Sequence, residues 1–125
     1  MNTKKKILLL DDDHSVRLNF KLFLEDEGVD CIPFESSEEA LLKLETEKFD
    51  LAIVDIMLPG MDGEEFIPIA SKMDSSLKYL IHTGIVNYTL PDNLRQMGIN
   101  NDDVFLKPLN DLQLLMHKIY GLDPD

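Results

Sequence analysis

The sequence is poor in cysteine and in basic residues, and each shortage excludes a class of protein. Cys31 is the only cysteine, so the chain has no disulfide framework and no cysteine metal site. We interpret Cys31 as a small buried hydrophobe rather than a reactive thiol. Only 12 basic residues stand against 24 acidic ones, and the formal net charge of −12 argues against direct binding to nucleic acid or to an anionic membrane.

Long hydrophobic runs are also missing. A helix that crosses a bilayer needs about 20 consecutive apolar residues, and no stretch of this sequence approaches that length. Between the basic residues 4–6 and the aspartates 11–13, only residues 7–10 are apolar, which is not the pattern of a secretory signal peptide. We therefore expect a cytoplasmic protein. Because 44% of the 125 residues are hydrophobic, we expect residues 1–125 to form one domain with its own core.

Short apolar runs alternate along the chain with amphipathic segments, a pattern typical of α/β proteins. It predicts five strands, at 4–10, 29–34, 49–54, 77–82 and 104–106. It predicts five helices, at 14–27, from a cap at Ser36 or Ser37 to 44, at 64–73, 91–97 and 109–120. Pro68 should shorten or kink the third helix, because its nitrogen cannot donate a hydrogen bond. Together these elements predict one parallel sheet with helices on both faces.

Several of the apolar runs end in residues suited to phosphate and magnesium chemistry. The first leads into Asp11 and Asp12, the third into Asp55, the fourth into Thr83 and the fifth into Lys107. The carboxyl ends of parallel strands lie on one edge of a sheet, where open α/β folds bind ligands. Adjacent strands are about 4.8 Å apart, so acids far apart in sequence can share one ion. This edge is the predicted active site.

Four fragments in this order resemble the receiver domain of two-component response regulators: ILLLDDD, DLAIVDIMLPGMDG, HTG and FLKP. The resemblance covers essentially the whole chain. It implies a flavodoxin-like sheet of order 2-1-3-4-5 and a role in a phosphorelay, in which Asp55 accepts a phosphoryl group from a sensor histidine kinase or a histidine phosphotransfer protein. It also implies a cis Lys107–Pro108 peptide bond, and a downstream protein target that binds the surface of the fourth helix, fifth strand and fifth helix.

Within this family, each residue type has a chemical reason. The Asp55 carboxylate is a nucleophile whose product is an acyl phosphate, and Mg²⁺ is needed because two anions must meet. Asp12 and Asp55 are expected to bind Mg²⁺ directly, Asp11 through water, and Met57 through its backbone carbonyl. The remaining catalytic and phosphate-binding residues are Lys107 as a cationic clamp, Thr83 as a hydroxyl donor, and Gly84, which leaves its backbone amide accessible.

Other residues near the site have simpler interpretations. Asp13 and Asp62 are expected to be helix caps or turn residues rather than ligands. His14 and His82 are more often solvated or packed than catalytic at such positions. Arg17 is expected to pair with a surface acid.

The chain departs from the family pattern at the position three before the lysine. An aromatic residue usually reports phosphorylation there, whereas this chain has Val104, and Phe105 should point to the opposite face of the strand. The segment 99–103 is also longer than usual. Met57 and Ile85 cannot hydrogen-bond a water molecule, so we expect slow loss of the phosphoryl group.

Two alternatives stay open. A phosphatase of the haloacid dehalogenase type has a second acid two residues after its aspartyl nucleophile, where this chain has Met57. A docking module with the same fold would carry no phosphate, yet this chain has every residue that the chemistry needs. We expect a signalling protein that catalyses only its own phosphorylation and dephosphorylation. Since only five residues follow Tyr120, we expect a single-domain regulator that acts by protein contact.

Overall fold

A computed structural model describes residues 4–121, and the ends of the predicted domain at residues 1 and 125 lie outside this range. The strands form one sheet: β1 (Lys6–Leu10), β2 (Asp30–Phe34), β3 (Leu51–Val54), β4 (Lys78–Thr83) and β5 (Val104–Leu106). The α-helices are α1 (His14–Asp26), α2 (Ser37–Leu44), α3 (Gly63–Met73), α4 (Asp92–Gln96) and α5 (Leu112–Tyr120). None of the helices in residues 4–121 is both long and apolar enough to cross a membrane.

Neighbouring strands are all parallel, and their order β2-β1-β3-β4-β5 confirms the predicted flavodoxin-like topology. Leu10 pairs with Val54, and Val54 pairs with Ile81, so β1, β3 and β4 reach nearly the same level. Leu106 at the end of β5 pairs with Thr83. The residues that leave the sheet at this shared edge are Asp11, Asp55, Gly84 and Lys107.

Each face of the sheet buries its own apolar core, which confirms that helices cover both sides. One core includes Phe66 and is closed by α2, α3 and α4. The other includes Phe20 and is closed by α1 and α5. Val104 packs against the first core and Phe105 lies in the second, so these neighbours point in opposite directions, as predicted.

Polar side chains determine where three helices begin. The Asp13 carboxylate accepts hydrogen bonds from two backbone N–H groups in the first turn of α1. Asp62 caps α3 in a reciprocal pair with Glu65, in which each side chain accepts from the other residue's backbone N–H. Both aspartates are therefore caps, as predicted. Of the two serines considered for α2, Ser36 is the cap.

The third helix differs from its prediction. It runs without a break from Gly63 to Met73, so of the two effects predicted for Pro68, shortening or a kink, the shortening is wrong. The proline removes one hydrogen-bond donor, but Phe66, Ile67 and Ala70 are fully buried against the sheet and hold the helix through that point.

Other boundaries differ by a few residues. α5 begins at Leu112 rather than 109, because Asp111 caps it by accepting from the backbone N–H of Leu114. Part of the long segment 99–103 forms a 3-10 turn at Asn101–Asp103. The Lys107–Pro108 peptide bond is cis, as predicted.

Candidate functional site

Three carboxylates meet at the carboxyl edge of the sheet. Oxygen atoms of Asp11, Asp12 and Asp55 all lie within 4.8 Å of one another. Asp11 is 1% exposed and Asp55 is 3% exposed, whereas Asp12 faces solvent. The cluster therefore has a buried floor and an open side through which an ion or a substrate can enter.

Backbone hydrogen bonds fix the two buried aspartates. The Asp55 N–H donates to the carbonyl of Leu10 at 2.9 Å, and the Asp11 N–H donates to the carbonyl of Phe34 at 3.1 Å. The parallel ladder thus continues one residue past β3 and β1. Each carboxylate then accepts a hydrogen bond from a backbone N–H two residues ahead, from Asp13 at 2.9 Å and from Met57 at 3.2 Å.

The start of α3 lies directly against the backbone of Asp55. The Gly63 N–H donates to the carbonyl of Ile56 at 3.0 Å. A Cβ atom at position 63 would collide with the Asp55 carbonyl oxygen and would lie 2.9 Å from the Ile56 Cα. Only glycine permits this approach.

Lys107 is the cation of the site. Its Nζ lies 3.0 Å from Asp11 Oδ2 and 3.1 Å from Asp55 Oδ2, so one ammonium group bridges both buried carboxylates. Its backbone N–H donates to the carbonyl of Thr83 at 2.7 Å, which ties the end of β5 to the end of β4. The side chain is 24% exposed, so it has room to move toward a bound ligand.

Thr83 is fully buried at the end of β4. Its Oγ1 accepts a hydrogen bond from the backbone N–H of Ile85 at 3.1 Å. A hydroxyl that accepts in this way still has its own proton to donate. Gly84 is exposed, and a Cβ there would meet no atom within 4 Å, so nothing crowds its backbone amide.

The pKa values of Asp55 and of Lys107 are both raised above their ordinary values. Burial raises the pKa of Asp55, the negative charge of Asp11 raises it further, and Lys107 only partly offsets these effects. Burial by itself lowers the pKa of Lys107, but its hydrogen bonds and charge interactions with Asp11 and Asp55 outweigh burial and raise it. One ammonium group therefore faces two buried carboxylates, and an additional cation would be stabilised there.

The donor atoms fit a small hard cation. Mg²⁺ prefers oxygen ligands, is usually bound by one or two carboxylates and keeps several water molecules. Three carboxylates around one point, one of them open to solvent, can hold such an ion. The Met57 side chain is 66% exposed and its backbone N–H faces Asp55, so its predicted ligand is the carbonyl rather than the thioether.

The remaining predicted residues make no hydrogen bond to the three carboxylates within residues 4–121, although His82 Nδ1 lies 4.0 Å from Asp11 Oδ2. Val104 is half-buried in the core closed by α2, α3 and α4. His14 is exposed, whereas His82 is packed edge-on against Phe20 with ring centroids 5.1 Å apart. Cys31 is buried, and burial raises the pKa of its thiol to about 12, which confirms that it is not a reactive thiol.

Sequence reasoning missed one polar contact beside the site. The Tyr88 hydroxyl donates to Glu64 Oε2 at 2.5 Å and so joins the segment after β4 to the first turn of α3. The two residues are 24 positions apart, and no local periodicity links them. Arg17 lies 3.9 Å from the exposed acid Glu35, as predicted, and its guanidinium also donates to the carbonyl of Asp11 at 2.9 Å.

Fold and site together define a flavodoxin-like α/β protein with an acidic site and a bridging lysine at the edge of its sheet. Residues 7–119 match the family model of the response regulator receiver domain. The chain therefore belongs to this family: it is a receiver domain of two-component response regulators, a signalling protein rather than a metabolic enzyme.

Relatives with known names share sequence with most of this chain. The transcriptional regulatory protein FlgR of Helicobacter pylori is 34% identical over 116 residues, which are 92% of this chain and 29% of FlgR. The regulatory protein VanR of Enterococcus faecium is 33% identical over 110 residues, 88% of this chain and 46% of VanR. The chain thus spans less than half the length of either relative.

A solved structure extends the similarity to three dimensions. The CheY-like response regulator receiver domain protein from Methanospirillum hungatei superimposes with a TM-score of 0.82 at 33% identity. The match covers 97% of this chain and 95% of that one.

Proposed function

We propose that Asp55 is the phosphoacceptor of this receiver domain and takes its phosphoryl group from a phosphohistidine on a sensor histidine kinase or a histidine phosphotransfer protein. The observation that carries this proposal is the bridge from Lys107 to two buried carboxylates within 4.8 Å of a third. It supplies a nucleophile, a cation for phosphoryl oxygens and ligands for a metal ion in one place.

In the transfer step, a carboxylate oxygen of Asp55 forms a bond to phosphorus while the bond from phosphorus to the donor imidazole breaks. The leaving imidazole keeps the electron pair and takes up a proton. Lys107 then contacts the phosphoryl oxygens with its positive charge, and the Thr83 hydroxyl donates to the same group. These contacts of Lys107 and Thr83 form as the phosphoryl group reaches Asp55, so they stabilise the transferring group and the phosphorylated product.

Asp11, Asp12, Asp55 and the Met57 carbonyl would hold Mg²⁺ at this edge. When bound, the ion supplies positive charge that offsets the repulsion between the Asp55 carboxylate and the incoming phosphoryl group. The backbone hydrogen bond to Leu10 holds Asp55 at the end of β3, and the surrounding residues bury all but 3% of its surface.

Phosphorylation is expected to reach a partner protein through α4, β5 and α5. Thr83 is the last residue of β4, Lys107 directly follows β5, and a backbone hydrogen bond joins the two. Beyond them, β5 and α5 present the apolar side chains of Leu106 and Leu114, which are 51% and 41% exposed. These positions could bind a partner whose affinity depends on the state of Asp55.

The phosphoryl group should be long-lived. Met57 and Ile85 stand two residues after Asp55 and Thr83, and neither side chain can orient a water molecule for attack on phosphorus. Met57 is 66% exposed and Ile85 is half-buried, so both can lie over the phosphoryl group.

Incubation with Mg²⁺ and a small acyl phosphate, followed by intact-mass measurement, tests the proposal. We expect a stable increase of one phosphoryl group in the parent and none in Asp55→Asn. The exposed Asp26→Asn variant is a matched control for loss of one carboxylate and should behave as the parent does. Turnover of the donor without stable mass would favour a phosphatase, and the absence of both would favour a docking module.

A further inference from the structure

His82 is the least explained polar side chain in the described part of the chain. The residue is 4% exposed, and both ring nitrogens are buried with no hydrogen-bond partner. Buried polar groups are nearly always partnered, and an orphaned one costs stability. A group left in this state directly before Thr83 calls for a functional reason.

The surroundings of the His82 ring show which groups could contact its nitrogens. A cavity of about 510 Å³ between α1 and the segment after β5 touches the ring, but neither nitrogen has appreciable accessible surface. Water or a ligand in this cavity therefore does not reach the nitrogens. A polar atom that does lie close is Asp11 Oδ2, 4.0 Å from His82 Nδ1.

That carboxylate oxygen already has a partner. Asp11 Oδ2 lies 3.0 Å from Lys107 Nζ, and Asp11 is 1% exposed. If Lys107 moves onto a phosphoryl group, this oxygen loses the hydrogen bond from the lysine, and because Asp11 is 1% exposed, only a metal-bound water or a protein group can replace that donor. Such a loss would oppose the movement of Lys107.

We propose that His82 is a positioning residue that replaces Lys107 as the hydrogen-bond donor to Asp11. When Lys107 moves away, the neutral ring donates its Nδ1–H to Asp11 Oδ2. The proposal rests on the proposed function, since movement of Lys107 to the phosphoryl group is what frees Asp11. No proton changes owner, and one hydrogen bond replaces another. The gap must close by about 1 Å to reach hydrogen-bond distance.

The chemistry of the ring agrees with this role. Burial lowers the pKa of His82 to about 4 and the charge of Lys107 acts in the same direction, so the ring is neutral at pH 7. A neutral imidazole has one N–H to donate. Phe20 packs against the ring at an interplanar angle of 84°, which limits its rotation to small adjustments.

Nuclear magnetic resonance of the His82 ring tests the exchange without any phosphoryl chemistry. In Lys107→Ala, free of metal and phosphoryl donor, Asp11 has already lost the lysine. We expect a slowly exchanging Hδ1 resonance, shifted downfield, that the parent lacks. Lys118→Ala is the control, because its Nζ pairs with Asp103 at 3.1 Å away from the site and its loss should leave the ring unchanged. The same Hδ1 resonance should appear in the parent with Mg²⁺ and beryllium fluoride, a stable mimic of an acyl phosphate.

Variants of His82 test the consequence for transfer. His82→Asn keeps an N–H donor near the position of Nδ1, whereas His82→Leu has none. We expect phosphorylation by a small acyl phosphate to slow about tenfold in His82→Leu, the size of one hydrogen bond to a charged group, and to recover to within about twofold in His82→Asn. If His82 only filled space in the core, the presence of an N–H donor in His82→Asn would not restore the rate that His82→Leu loses.

The absence of the Hδ1 resonance in Lys107→Ala would overturn the proposal, and so would wild-type phosphorylation in His82→Leu. Neither result would touch the assignment of Asp55, which stands or falls on the mass of Asp55→Asn. If Asp55 is not phosphorylated in the parent, the ring measurement in Lys107→Ala still decides whether His82 pairs with Asp11.

Discussion

At the scale of single residues, the site is built around a carboxylate that the fold holds in an unfavourable place. Asp55 is 3% exposed and lies beside Asp11, and Lys107 is the side chain among residues 4–121 that pairs with both charges. A lone exposed aspartate has no such desolvation cost and binds a cation only weakly. Burial beside a second negative charge makes the ionised form of Asp55 unfavourable. This unfavourable state is therefore part of the reason that the site would attract a metal ion or a phosphoryl group.

Asp55→Asn should stabilise the protein near neutral pH when divalent cations are absent. Because the folded state raises the pKa of Asp55 above its ordinary 3.8, the native protein binds this proton more tightly than the unfolded chain does. The stability linked to this group is complete below that value and is lost as the pH rises through the folded pKa. Removing the charge should raise the Tm at pH 7 by about 3 °C or more.

The gain should shrink as the pH is lowered toward the ordinary pKa, where the parent also becomes neutral. Melting curves of both proteins from pH 4 to pH 7 measure this trend. Asp26→Asn should follow the parent throughout, since changes at exposed sites stay within about 0.5 kcal/mol. A lower Tm for Asp55→Asn at pH 7 would contradict the electrostatic account.

At the scale of elements, the segment 84–91 between β4 and α4 is held by the burial of Leu90 and by two side-chain hydrogen bonds nearer its start. The Ile85 N–H donates to the Thr83 hydroxyl, and the Tyr88 hydroxyl donates to Glu64 in the first turn of α3. α4 itself has only five residues and no side-chain cap. These two hydrogen bonds therefore position the first half of the segment, whereas the buried Leu90 anchors its end beside α4.

Tyr88→Phe should loosen this segment and leave the rest of the sheet intact. The lost hydrogen bond has a charged, half-buried acceptor, so we expect a fall in the free energy of unfolding of about 1–2 kcal/mol and faster amide exchange over residues 84–91. Tyr120→Phe is a matched control, because its exposed hydroxyl donates only to the Glu27 carbonyl at 3.5 Å. Equal effects of the two variants would show that Glu64 does not hold the segment.

At the scale of the whole molecule, a formal charge of −12 surrounds the acidic site, so any measurement of metal binding must separate a specific ion from general screening. The three carboxylates at the sheet edge are the candidate for the specific site. The remaining acids are distributed along the chain, and salt screens their charges.

Mg²⁺ should therefore raise the Tm more than NaCl of equal ionic strength. An ion bound only by the native state adds about 2.7 kcal/mol at a hundredfold excess over its Kd. Asp12→Ala should lose most of this difference, because Asp12 is the exposed carboxylate of the cluster and its removal leaves both cores intact. An equal response of Asp12→Ala and the parent would place the ion elsewhere.

The five strands and the edge where Asp11 and Asp55 meet could be predicted from short-range patterns, whereas the strand order came from the resemblance to the family. Apolar runs that stop at Asp11 and Asp55 fix both the strands and the edge where they end. The start of α5 and the continuity of α3 through Pro68 could not, since they depend on one cap and on burial against the sheet. The Tyr88–Glu64 bond and the unpaired nitrogens of His82 arise only when distant segments pack.

The contact between Gly63 and the backbone of Asp55 has a consequence for how this sequence can change over generations. At position 84, on the same edge of the sheet, an added Cβ would meet no atom within 4 Å, so a substitution there has room. At position 63 a Cβ atom would collide with the backbone that carries Asp55. A lineage that keeps the chemistry must therefore keep this glycine, although the residue contributes no functional group of its own.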